Sequence, residues 1–165
     1  MAGSGLAIVH ALKYDGWWRV ADGMGERMAR LAWPRDVVEE RAALVPVPLA
    51  ASRQRQRGYN QSERVARALA SCWGVPVRTD VLERCRDTTS QTRLAPEERI
   101  RNVLGAFRAT GSARKQLSGA HVVLVDDVVT TAATLNACAA ALHERGIRIV
   151  SYVTFGRAPA VGDRP

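Results

Sequence analysis

Lysine is nearly missing from this sequence: Lys13 and Lys115 are its only two, and every other basic residue is arginine. Lys and Arg number 24 against 16 Asp and Glu, a formal net charge of +8. The arginine fork suits bidentate binding of phosphate, so nucleotides, phosphorylated sugars or nucleic acid are plausible partners. A codon bias towards Arg and Ala explains the surplus equally well. No apolar run reaches the roughly 18–20 residues that span a bilayer. The start, MAGSGLAIVHALKYDGWW, lacks the basic n-region of a secretory signal, and His10 and Lys13 break its apolar stretch. A cytoplasmic protein without membrane insertion is expected. Cysteine is sparse: Cys72, Cys85 and Cys138 lie far apart and form no CxxC pair. That excludes a zinc ribbon and a CxxC redox motif, and leaves reduced cysteines, buried or half-buried. GxxxxGK[ST] is absent, which excludes a Walker-type phosphate loop.

What is present is a globular composition, 47% apolar over 165 residues, enough for one domain with a core. We read residues 1–165 as a single domain, with an N-terminal helical segment (5–33), a core (42–156) and a tail (157–165). Helices are expected over 5–14 and over 17–32, where Pro34 ends the second. A strand covers 42–49, a basic polar loop 51–61 and a helix 61–73, with Val65, Leu69 and Cys72 on one face. Residues 75–84 read as one strand or a strand pair, 104–110 as a strand and 111–119 as a loop. The stretch 85–103 is too long and polar for an ordinary connection, although PEERIRN (96–102) suggests a short helix. A strand at 121–126, a helix at 133–145 and a strand at 147–155 complete the chain. The helix carries Leu135, Cys138, Ala139 and Leu142 on one face, and Gly146 ends it. Strands alternating with helices imply an α/β fold, a mostly parallel sheet flanked by helices. His10 lies on an apolar face, and Trp17 and Trp18 read as packing residues. His121 and His143 read as surface residues.

The stretch VVLVDDVVTTAAT (122–134) carries the chemistry. An apolar strand ends in Asp126 and Asp127, and a Thr-rich loop leads into a helix. In an open parallel sheet, ligands bind beyond the carboxyl ends of the strands. A helix N-terminus there offers free N–H groups to an anion. Thr130, Thr131 and Thr134 add hydroxyl donors. Carboxylates accept hydrogen bonds from sugar hydroxyls and hold hydrated Mg²⁺. A phosphate cradle beside two carboxylates describes a site for a phosphorylated ribose.

This stretch resembles the phosphoribosyl pyrophosphate (PRPP) motif of type I phosphoribosyltransferases. Three further stretches resemble the ComF family, phosphoribosyltransferase-like proteins associated with competence for DNA uptake: HALKYDG (10–16), VPVPLAASRQRQRGYNQSERVARALA (45–70) and RDTTSQTRLAPEERIRNVLGAF (86–107). The likeness runs in order through most of residues 6–155. It implies a type I phosphoribosyltransferase fold in which Asp126 and Asp127 bind the ribose hydroxyls of PRPP and hold Mg²⁺ through water. Thr130, Thr131, Ala132, Ala133 and Thr134 would wrap the 5′-phosphate. The pyrophosphate would meet the loop after VPVP, where Ser52, Arg53, Arg57 and Tyr59 are the candidates. Arg53 and Arg57 best compensate a diphosphate leaving group, with Arg55 turned outward. Asn60 and Gln61 either contact ligand or cap the helix. Residues 86–103 would act as a lid, with Arg93 as a catalytic residue beside Thr88, Thr89, Ser90 and Gln91. Lys13 and Tyr14 are candidates for the acceptor side.

Two departures matter. The family loop usually has Gly where this chain has Ala132; if that position is left-handed, Ala costs about 1–2 kcal/mol. The N-terminal cysteine ribbon frequent in the family is not matched here, so no zinc is expected. The implied activity is phosphoribosyl transfer to an unknown acceptor with release of pyrophosphate. The alternatives are a non-catalytic PRPP-sensing module and an accessory factor that binds single-stranded DNA alongside DNA-uptake helicase machinery. An oligomer is compatible with either.

Overall fold

The central strand explains most of the architecture. In the computed structural model, which describes residues 3–14, 19–86 and 96–157, the apolar run after His121 becomes β4 (His121–Val129). It pairs in parallel with β1 (Arg41–Pro46) on one side and β5 (Ile149–Arg157) on the other, giving the order β1-β4-β5. A strand covered on both faces has no polar side to alternate with, which is why Val122, Val123, Leu124 and Val125 are all apolar and all at 0% exposure.

The helices then divide between the two faces. α5 (Gln61–Trp73) follows β1 and puts Val65, Ala66 and Leu69 into one core cluster with Leu44, Val123 and Val125. α8 (Ala133–His143) follows β4 and puts Leu135, Cys138 and Leu142 into another, with Ala43, Val45, Val122 and Leu124. Alternate residues of β1 and β4 therefore point to opposite layers. α1 (Gly3–Tyr14), α2 (Val20–Ala29) and α3 (Arg35–Glu40) build out the α5 side. α2 lies hard against α5: a Cβ added at Gly25 would sit 2.5 Å from the Ala68 Cβ and 2.7 Å from the Leu69 nitrogen. On the other face, β2 (Leu82–Arg84) and β3 (Phe107–Ala109) form a separate antiparallel pair against α8, beside α6 (Pro96–Val103) and α7 (Gly111–Leu117). No helix among the described residues is long and apolar enough to cross a membrane.

Several expectations change. Residues 51–57 are a helix, α4 (Ala51–Arg57), and not a loop. Ala, Arg and Gln are strong helix formers, and Gly58 in the left-handed region ends the segment. Residues 111–117, also expected as a loop, form α7, and 35–40 form α3 after Pro34. β4 runs past the aspartates to Val129 because β-branched Val128 and Val129 keep pairing with β5, at Gly156 and Arg157. Within 75–84 the strand is short, and Val77 makes only an isolated parallel bridge to Leu44. His121 is 1% exposed, its Nε2 2.8 Å from the Ser151 hydroxyl, so the surface reading fails for it. His143 and His10 are exposed. Cys72 and Cys85 are exposed, and Cys138 is buried.

Candidate functional site

Because β1 leads to α5 on one face and β4 to α8 on the other, their adjacent carboxyl ends form a topological switch point of the sheet. This is where an open α/β sheet binds ligands. β1 stops at Pro46, whose register partner is Val125, and the Val47 amide donates to the Val125 carbonyl. Asp126 is thus the first β4 residue beyond the shared ladder. On one side of the switch point lies the corner between α4 and α5, and on the other wall of the site the Thr130–Ala132 loop that enters α8.

The α4–α5 corner is held by side chains. Asn60 is the N-cap of α5: its Oδ1 accepts from the Ser62 amide at 3.0 Å and its Nδ2 donates to the Val47 carbonyl at 3.0 Å. Of the two roles open to Asn60, capping is the one observed. Ser62 donates its hydroxyl to Asp126 Oδ1 at 2.8 Å, and the same oxygen accepts from the Asp127 amide at 2.9 Å. Arg57 donates to Gln61 Oε1. The Tyr59 hydroxyl donates to the Leu12 carbonyl in the last turn of α1, tying the N-terminal helix to this corner. Burial pushes the Tyr59 phenol up, opposed by the nearby Arg57 and Arg64 charges.

On the other wall, Ala132 has φ 56° and ψ 6°, the only non-glycine residue at positive φ among the described residues. It is the N-cap of α8 and makes no side-chain capping hydrogen bond. The first-turn N–H groups of α8 therefore receive no side-chain cap from that position, the arrangement that suits an anion. The Thr131 hydroxyl is buried without a hydrogen-bond partner among the described residues. Asp127 is 3% exposed, with Oδ1 accepting from the Val128 amide at 3.0 Å; Asp126 is half-buried.

The phosphoribosyl transferase domain family matches residues 45–164, well over half of the chain. The chain belongs to this family. Its relatives include Competence protein F of Haemophilus influenzae, 33% identical over 70% of this chain and 50% of that protein. DNA utilization protein YhgH of Salmonella typhi is 32% identical over 87% of this chain and 63% of its own length. Competence protein ComFC of Bacillus subtilis is 32% identical over 62% and 39%. The chain thus spans 39% to 63% of the length of these relatives. They bear out membership of the ComF family. Among solved structures, the glutamine PRPP amidotransferase of B. subtilis superposes with a TM-score of 0.52 at 19% identity, covering 82% of this chain and 26% of that one. A purine phosphoribosyltransferase of Pyrococcus horikoshii gives 0.50 at 17% identity, covering 90% and 80%. These likenesses establish the type I phosphoribosyltransferase fold.

Within that fold, the expected residues divide into three groups. Asp126, Asp127, Thr130, Thr131, Ala132, Ala133 and Thr134 are contiguous along the end of β4 and the start of α8. Arg53 and Arg57 are half-buried one turn apart on α4, whereas Arg55 and Ser52 are exposed. The outward Arg55 was expected from loop alternation; a helix yields the same result because positions four apart share a face. Arg93, with Thr88, Thr89, Ser90 and Gln91, lies outside the described residues, as do Trp17, Trp18 and the tail beyond Arg157. The base of that long stretch is described: the Arg86 guanidinium donates to the Asn102 and Leu104 carbonyls at 3.1 and 2.9 Å. Ser62 carries no motif of its own in the sequence. Its signal lies in NQSE, where an N-cap Asn followed three residues later by Glu63 opens a helix and places Ser62 in the first turn.

The donor set suits hydrated Mg²⁺ better than a tightly ligated metal. No group of three or more His, Cys, Asp or Glu that could hold a metal exists among the described residues. Asp126 and Asp127 are adjacent oxygen donors that would hold a hydrated Mg²⁺ through its waters.

Proposed function

We propose that the chain binds PRPP with Mg²⁺ in the cytoplasm and transfers its phosphoribosyl group to an acceptor, releasing pyrophosphate, in support of DNA uptake. The observation that carries this reading is the carboxylate pair near the end of β4, followed within one loop by a helix N-terminus without a side-chain cap. Asp126 and Asp127 accept hydrogen bonds from the ribose hydroxyls. Thr130, Thr131 and Thr134, with the first N–H groups of α8, hold the 5′-phosphate. Arg53 and Arg57 face the pyrophosphate, aided by Ser52, while Tyr59, whose one hydroxyl proton goes to the Leu12 carbonyl, holds the corner rather than the ligand. Mg²⁺, when bound, spreads the negative charge of the leaving group. The acceptor's lone pair forms the new bond to C1 while the C1–O bond breaks and its electrons leave with pyrophosphate. Carboxylates beside the ribose stabilise the oxocarbenium-like charge on the way. The DNA-uptake assignment rests on relatives named for competence and DNA utilization.

Calorimetric titration of Mg²⁺–PRPP into wild type and Asp127→Asn tests the site. Wild type is expected to saturate, and the variant to bind about 10- to 100-fold more weakly, the worth of a hydrogen bond to a charged group. Absence of saturable binding by a folded wild-type sample refutes the reading. Pyrophosphate release with candidate acceptors then tests transfer. Ala132 favours a second reading, because a methyl at a left-handed position crowds the backbone's approach to phosphate. That reading is an accessory of uptake helicase machinery that binds single-stranded DNA; the same crowding counts against a non-catalytic PRPP sensor, which needs the phosphate held just as firmly. Steeply salt-dependent binding of single strands without turnover would select it.

A further inference from the structure

The first turn of α5 is buried more deeply than its polar sequence suggests. Asn60, Gln61 and Ser62 are 8%, 7% and 1% exposed. Buried polar side chains are costly unless hydrogen-bonded, and each of these is committed to a specific partner. Asn60 anchors the turn to Val47 at the end of β1. From that fixed point Ser62 reaches across to Asp126, 64 residues further along the chain, and Gln61 reaches back to Arg57. Each contact ends on a residue assigned above to a different part of PRPP: Asp126 to the ribose, Arg57 to the pyrophosphate.

We propose that Ser62 and Gln61 are positioning residues that set Asp126 and Arg57, respectively, so that one helical turn fixes the spacing between the ribose and pyrophosphate subsites. The proposal rests on the PRPP reading. The Ser62 hydroxyl and the Asp127 amide both donate to Asp126 Oδ1, which defines the carboxylate's orientation. The Gln61 carbonyl oxygen holds one arm of the Arg57 fork, which removes rotamer freedom that a long side chain otherwise loses on binding. Neither side chain need touch ligand. Both act through the group they hold, as outer partners do for ligating residues.

The test separates the two subsites with two probes, ribose 5-phosphate and Mg²⁺–pyrophosphate, each titrated calorimetrically into the full chain. Ser62→Ala is expected to weaken ribose 5-phosphate about tenfold and to leave pyrophosphate within about twofold. Gln61→Met, close in size, is expected to do the reverse. Ser62→Thr, which keeps the hydroxyl, is expected to restore ribose 5-phosphate binding. Asp126→Asn and Arg57→Gln are measured beside them. If these two weaken their own probes while Ser62→Ala and Gln61→Met change neither, positioning is overturned and the PRPP reading stands. If Ser62→Ala or Gln61→Met weakens both probes equally and lowers Tm, the turn is only a structural support and the proposal fails. If Asp126→Asn leaves ribose 5-phosphate binding unchanged, the PRPP reading fails and the proposal falls with it.

Discussion

Ala132→Gly should make the protein more stable, although glycine is ordinarily a destabilising replacement. Ala132 has φ 56°, where its Cβ crowds the backbone at a cost of roughly 1–2 kcal/mol. Glycine relieves that cost but gives the unfolded chain more freedom, worth about 0.4–1 kcal/mol in the opposite sense. The difference runs from about zero to 1.6 kcal/mol, with a centre near 0.8. For a chain of 165 residues, about 2–4 °C in Tm accompanies each kcal/mol, so a rise of about 2–3 °C is expected. The assay is thermal or urea unfolding followed by circular dichroism, with Ala140→Gly as the internal control. Ala140 is exposed in the body of α8, where glycine should cost about 1 kcal/mol. The two variants should therefore move Tm in opposite directions. If Ala132→Gly is destabilising by as much as Ala140→Gly, position 132 is not left-handed in solution and the strain argument is wrong.

Gly25→Ala should destabilise by about 1–3 kcal/mol or more, because the new methyl would lie 2.5 Å from the Ala68 Cβ. Gly23→Ala on the same helix meets nothing within 4 Å and should gain up to about 1 kcal/mol of helix propensity; paired unfolding curves decide both. Tyr59→Phe removes the hydrogen bond to the Leu12 carbonyl and should cost about 1 kcal/mol, with faster hydrogen exchange in α1. Burial raises the Tyr59 pKa on folding, so its neutral form stabilises the native state below about pH 10. The contribution fades as pH rises further, so the gap between wild type and Tyr59→Phe should narrow there. Cys138 should resist thiol reagents in the native state, since burial, then the negative charge of Asp126, push its thiol up well above the ordinary value. Cys72 and Cys85 are exposed and should label readily; rapid native labelling of Cys138 would contradict its burial.

Local pattern carried a good part of the fold. α5 begins and ends where the Val65/Leu69 spacing places it, and the apolar run 122–125, expected as a strand, is buried and central to the sheet. α4 is hidden locally because the charge density of RQRQR suggests solvent more strongly than its composition suggests a helix. Two aspartates look like a strand terminus, whereas pairing with β5 carries β4 on to Val129. Burial of His121 could not be read locally, since its partner Ser151 comes from a neighbouring strand.

The sequence by itself determined the alternation of strands and helices, the carboxylate pair ahead of a Thr-rich loop and the family to which the chain belongs. These are properties of short windows, and short windows carry periodicity and motif. Only the tertiary structure decided that Ala132 is left-handed, that Ser62 holds Asp126 and that Gly25 admits α5. The last two depend on atoms distant in sequence meeting across elements, and the geometry of such a meeting is set by the packing of the whole sheet and its helices.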